Sequence, residues 1–192
     1  MIQVSEVLSN EEYEKIRTEY RQKIFAVKET RRIQVGPYLT FLFENHDTML
    51  YQVQEMMRAE KIKEESAIRH EVETYNQLVP SENELKATLL LEFVDENVRR
   101  VKLHELLGLE EHIWLMIRSL ETERKVRANF DQAQYNEEKL SSVQYLTFKL
   151  GEAADLLRSP NSTIAIETTH TACSYRQELS TQQMAALRSD IK

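Results

Sequence analysis

Apolar residues recur along this chain first at helical and then at strand spacing. Tyr13, Ile16, Tyr20, Ile24 and Val27 fall three and four residues apart, which predicts a helix over 9–30. Ser9 and Glu12 open it as a capping box, in which each side chain satisfies an orphan backbone donor. Gly36-Pro37 predicts a turn between two short β segments, Arg32–Val35 and Tyr38–Phe43. Asp47 is expected to cap a second helix with Met49, Leu50, Val53, Met56 and Met57 on its apolar side. A third helix carries Ile68, Val72, Tyr75 and Val79 and must stop at Pro80.

After Pro80 the period shortens from 3.6 to 2. Leu85, Ala87, Leu89, Leu91 and Phe93 alternate with mostly polar neighbours, as a half-buried strand requires. Asp95-Glu96-Asn97 reads as a turn into a strand over Val98–Leu103. Further alternation marks 112–118, 126–130, 143–150 and 163–168. Residues 104–107 and 152–158 read as short helices, and 131–142 as polar loop or short helix. Ser180 and Gln183 form a second capping box that opens a helix carrying Met184, Leu187 and Ile191. Helices first and strands afterwards, with short connections, predict an α+β fold: three N-terminal helices packed on a mostly antiparallel sheet, with a C-terminal helix. The simplest division is one domain over 1–192, with a helical layer at 1–80, the sheet at 81–170 and the last helix at 175–192.

Composition narrows the chemistry mainly by exclusion. The 192 residues are 41% hydrophobic and 30% charged, a balance that belongs to a globular chain. No apolar run approaches the ~20 residues of a membrane helix. The N-terminus lacks a basic-then-apolar signal pattern, so the cytoplasm is the expected location. The net charge of −7 argues against nucleic acid or an anionic membrane as the main partner. Cys173 is the only cysteine. That excludes an internal disulfide, a multi-cysteine zinc site and an iron–sulfur motif, and there is no haem-attachment motif. Only three glycines are present, and none are clustered, so no phosphate-cradling nucleotide loop can form.

Two constellations hold candidate chemistry. Arg31 and Arg32 sit at a helix end, while Glu44 and Asn45 end a strand just before a helix. Either arginine is placed to pair with Glu44, or to clamp a carboxylate or phosphate with its planar fork. Gln52, Glu55 and Arg58 on the second helix face Glu71, Tyr75 and Asn76 on the third, the expected walls of a polar groove. Glu55, Glu60, His70 and Glu71 in the same hairpin form a carboxylate and imidazole set suited to a metal ion. The alternative for the first constellation is an ion-pair network between helices, and for the second a solvated acidic face. Trp114 faces away from Ile113 and Leu115, and together with the methionine-rich second helix it offers an oligomer interface.

RRIQVGP (31–37), FEN (43–45), QVQEMMRAEKI (52–62), ETYNQLVP (73–80) and LKAT (85–88) resemble an uncharacterised bacterial family, domain of unknown function 3501. The resemblance spans nearly the whole chain. It implies a stand-alone bacterial protein with a role in redox or peroxide metabolism, and rubrerythrin-like or iron–sulfur oxidoreductase proteins as partners. It supplies no catalytic residue. The expectation is therefore a non-catalytic accessory or ligand- and partner-binding protein. The alternatives are a small metal-dependent enzyme using the hairpin at 47–79, and a structural homo-oligomer.

Overall fold

A computed structural model describes residues 1–131 and 140–191. Among them are six α-helices and eight strands. In chain order these are α1 (Asn10–Glu29), β1 (Arg32–Val35), β2 (Leu39–Glu44), α2 (His46–Glu60), α3 (Glu65–Asn76), β3 (Glu84–Leu91), α4 (Glu96–Glu105), β4 (Ile113–Arg118), β5 (Glu123–Phe130), β6 (Val143–Lys149), α5 (Ala153–Arg158), β7 (Thr163–His170), β8 (Cys173–Glu178) and α6 (Thr181–Asp190). No helix among the described residues is long and apolar enough to cross a membrane.

The strands form one sheet in the order β1-β2-β3-β6-β5-β4-β7-β8. Every neighbouring pair is antiparallel. The sheet coils until β1 and β8 approach each other, giving a nearly closed barrel. Alternation does the sorting: Phe41 and Phe43 of β2, Leu85, Ala87 and Leu89 of β3, Leu146 and Phe148 of β6, and Ile113, Leu115 and Ile117 of β4 all point into one core. That core is filled by side chains. Leu103, Leu106 and Leu109 plug the end where β3 finishes, and Ala153, Ala154, Leu157, Leu187 and Ile191 close the other.

The seam between β1 and β8 is closed without a strand ladder. Gly36 takes φ +63, and a Cβ there would lie 2.5 Å from the Tyr175 ring, so only glycine admits this contact. Farther down the seam α6 covers the open edge. Gln183 Nε2 donates to the Arg32 carbonyl at 2.7 Å, one of the unpaired edge groups that natural sheets must cover.

A second, smaller core lies outside the barrel. Met49, Val53 and Met57 of α2 meet Val72 of α3, with Ile2 and Val79. Inter-strand positions turned outward hold this layer to the barrel. Thr48 Oγ1 of α2 donates to Glu44 of β2 at 2.7 Å, and Lys86 Nζ of β3 donates to the Gln77 carbonyl just past α3 at 2.5 Å. The outside of β5-β4-β7-β8 carries instead charged side chains around Trp114, whose ring lies 4.5 Å beneath Lys125 Nζ.

Several expectations require correction. Val98–Leu103 is not a strand but part of α4. Asp95 is its N-cap, accepting from Val98 N at 2.9 Å, and Val98 and Val101 lie on its exposed side. Asn45, not Asp47, caps α2: its Oδ1 accepts from Thr48 N at 2.9 Å. Residues 173–178, assigned in part to the C-terminal helix, form β8. The arrangement of three N-terminal helices and one C-terminal helix therefore gives way to six helices around a barrel-like sheet. Of the loop or short helix expected over 131–142, residues 132–139 lie outside the described residues. The boundaries of β1 and both capping boxes, Ser9–Glu12 and Ser180–Gln183, agree with the sequence reading.

Candidate functional site

The first constellation does not converge. Arg31 is only 4% exposed. It turns away from Glu44 and forks onto Asp190 of α6, with Nη1 to Oδ2 at 2.5 Å and Nη2 to Oδ1 at 2.8 Å. Arg32 is exposed and pairs with Glu92 at 3.1 Å. Glu44 is 5% exposed and accepts from the Thr48 and Thr88 hydroxyls at 2.7 and 2.8 Å. Burial pushes its carboxyl up, and the two hydroxyl donors only partly oppose that. Asn45 is spent on its cap.

The second constellation is divided between α1 and the N-terminal residues. Glu55 faces α1 rather than α3. It accepts from Tyr13 Oη at 2.6 Å and from Arg17 Nε and Nη2, both at 2.8 Å. The Arg17 guanidinium holds its carboxyl down at about 2. Arg58 donates to Glu14 at 2.6 Å. Asn76 binds the backbone of Ile2 through both ends of its amide, at 2.8 and 3.0 Å. Gln52 is half-buried and makes no side-chain hydrogen bond among the described residues. Glu60 and His70 are exposed and Glu71 is half-buried. Among the described residues no three His, Cys, Asp or Glu side chains are placed to hold a metal ion. The methionines at 49 and 57, offered as an interface, are buried in the second core. Cys173 is buried, with its thiol pushed up by desolvation, which is the setting of an inert thiol.

Of the candidates, Tyr75 borders a groove of about 550 Å³ between the end of α3 and the outer face of β3-β6-β5. Lys86, Tyr145, Thr147, Lys149 and Asn129 form its floor and far wall. Outward positions of neighbouring strands converge here because β5 pairs with β6 only over Ala128–Phe130 and with β4 over its earlier half. A second groove of about 510 Å³ opens on the other side of the end of β5, between Glu110, Glu111, Arg127 and Gln144. Asn129, Phe130 and Asp131 border both. These residues escaped the sequence reading because each sits singly in an alternating strand. Their one signal was a polar residue, Gln144, at an inward position.

The family described as "Protein of unknown function (DUF3501)" matches residues 1–191. A crystal structure described as a novel protein of unknown function from Burkholderia pseudomallei K96243 is 31% identical. The similarity covers 100% of this chain and 99% of that one, with a TM-score of 0.90. No functionally curated protein matches the chain.

Proposed function

We propose, for a chain that belongs to the DUF3501 family of proteins of unknown function, that it is a non-catalytic binding protein whose ligand or partner seats in the paired grooves beside the end of β5. The observation that carries this reading is where the reactive-looking groups are spent. Arg31, Glu44, Asn45, Glu55, Arg58 and Asn76 are each bonded within the chain, so they serve the fold. The first groove is lined by tyrosine, lysine, hydroxyl and amide groups beside Glu84 and Asp131, and the second by Glu110, Glu111, Arg127 and two amides around Phe130 and Leu140, a mixture of apolar and polar groups suited to recognition. The redox setting and the partner class, rubrerythrin-like or iron–sulfur oxidoreductase proteins, belong to the same proposal and come from the family resemblance.

The test is affinity capture from a native bacterial lysate under reducing and peroxide-stressed conditions. Wild-type protein and Thr147→Arg, which places a long cationic side chain across the first groove, are compared. Enrichment of an oxidoreductase by the wild type, lost with Thr147→Arg, is the expected result. Capture of no such protein, or equal capture by both, contradicts the reading.

A further inference from the structure

Residues 2–8 lie along the α2–α3 hairpin as a strap that pairs with no strand and holds only one turn of 3-10 helix, at Val4–Glu6. Two carboxamides grip its ends, and each grips backbone rather than a side chain. Asn76 of α3 accepts from Ile2 N at 2.8 Å and donates to the Ile2 carbonyl at 3.0 Å. Gln54 of α2 accepts from Leu8 N at 2.6 Å and donates to the Leu8 carbonyl at 3.2 Å. Used this way, a carboxamide offers the same donor and acceptor pair as a neighbouring strand, and so holds an extended chain whatever its side chains. Selection lies between the clamps. Ile2 is 2% exposed and packs with Met49, Val53 and Met57 of α2 and Val72 of α3, while Val4 and Val7 lean on the same core. Glu6 meets His46 at 3.0 Å. Asn76 stands between Tyr75 and Gln77, two walls of the first groove, so the strap's seat and that groove meet at the end of α3.

We infer that the α2–α3 hairpin is a docking seat for an extended segment of a partner protein, and that residues 2–8 fill it as an internal stand-in. The stand-in states the partner's chemistry. It carries aliphatic residues at the spacing of Ile2, Val4 and Val7, an acid just before the last of them, and free backbone N–H and C=O groups at both ends. Exchange, not simple release, is what the seat demands. Gln54 is 2% exposed and both its polar atoms are spent on the strap, so an empty seat would strand them beside apolar side chains. A tethered strap competes at an effective concentration on the order of millimolar, which keeps the seat closed to weak segments. This seat is a surface distinct from the paired grooves and owes nothing to what they bind.

The probe is a fluorescein-labelled peptide amide with the sequence of residues 1–8, titrated with the full chain and followed by anisotropy. Ile2→Asp expels the chain's own strap and leaves the seat intact, so it should bind the peptide at least tenfold more tightly than wild type. A scrambled peptide of the same composition should not bind. In the Ile2→Asp background, Asn76→Ala and Gln54→Ala should each weaken binding roughly fivefold or more, through loss of two hydrogen bonds. Thr147→Arg should leave peptide binding unchanged, so the seat and the grooves fail separately. No saturable binding by a folded Ile2→Asp chain, equal binding by wild type, equal binding of the scrambled peptide, or undiminished binding by the clamp variants each overturns the inference. Should Ile2→Asp not fold, hydrogen exchange of the wild type decides. The Leu8 amide should exchange by local opening, well ahead of the amides of α2 and α3, and equal protection overturns an exchangeable strap. A wild-type dimer at micromolar concentration that Ile2→Asp abolishes would give the seat to a second copy's strap and overturn its assignment to a partner.

Discussion

Two glutamates only eleven positions apart respond to pH in opposite senses because their surroundings differ. Glu55 is bound by Arg17 and Tyr13, and its carboxyl is held at about 2 in the fold, below the about 4.3 of an unfolded chain. The group therefore contributes stability above the unfolded value, and that contribution is lost as pH falls toward 2. Glu55→Gln is expected to lower unfolding free energy at pH 7 by about 1–3 kcal/mol. Urea titrations should show the gap to wild type narrowing between about pH 4.3 and 2. Glu44 behaves inversely. Burial raises its folded value, so its protonated form suits the fold, and its contribution is complete below the unfolded value and lost as pH rises through the raised one. Glu44→Gln, in which Thr88 can turn its hydroxyl to accept, should match wild type near pH 4 and exceed it at pH 8. A Glu44→Gln chain less stable than wild type at pH 8 would show that the charge itself is needed. Both residues stood out in the sequence, yet their partners did not. Tyr13 reads as one position of an apolar stripe, and nothing in spacing shows that its hydroxyl reaches α2.

At the scale of elements, α6 acts as the clasp of the barrel. It lies across the seam that β1 and β8 leave unpaired, and Arg31 binds Asp190 across 159 positions of sequence. Removing one partner of a buried ion pair strands the other charge, at a cost of about 3–5 kcal/mol. Asp190→Ala is expected to destabilise by that order, while Arg31→Met with Asp190→Leu recovers most of it. Denaturant unfolding of the single and double variants checks this, and equal losses in both would show that the pair is not the clasp. Gly36→Ala should also be severe, since both φ and the Tyr175 ring oppose it. Its deficit should shrink in a Tyr175→Ala background, measured by melting temperature. The sequence showed this turn and the cap of α6, but not that the two ends of the chain meet. It also misread α4. Val98 and Val101 look like strand residues by type, whereas the Asp95 cap and the burial of Leu103 decide for a helix whose valines face solvent. Local pattern recovers elements where the apolar face meets the core, and fails where apolar residues are left outside.

For the whole molecule, the division of labour is between a barrel packed solid with side chains and a surface that holds the grooves. Alternation in β3, β4 and β6 made those parts of the barrel interior legible. The grooves were not legible, because they arise where β5 leaves β4 to join β6, a departure set by register between strands far apart in sequence. Tyr75 was the one sequence candidate that reached them. The outer face of β5-β4-β7-β8 offers a competing surface, with Trp114 under Lys125 and Lys125 paired to Glu167 at 3.5 Å. Hydrogen–deuterium exchange of the chain, alone and in its captured complex, separates the two surfaces directly. Binding in the grooves predicts new protection confined to residues 84–86, 127–131 and 143–149. Protection centred on 114–118 and 163–176 instead, or none at all, would contradict it.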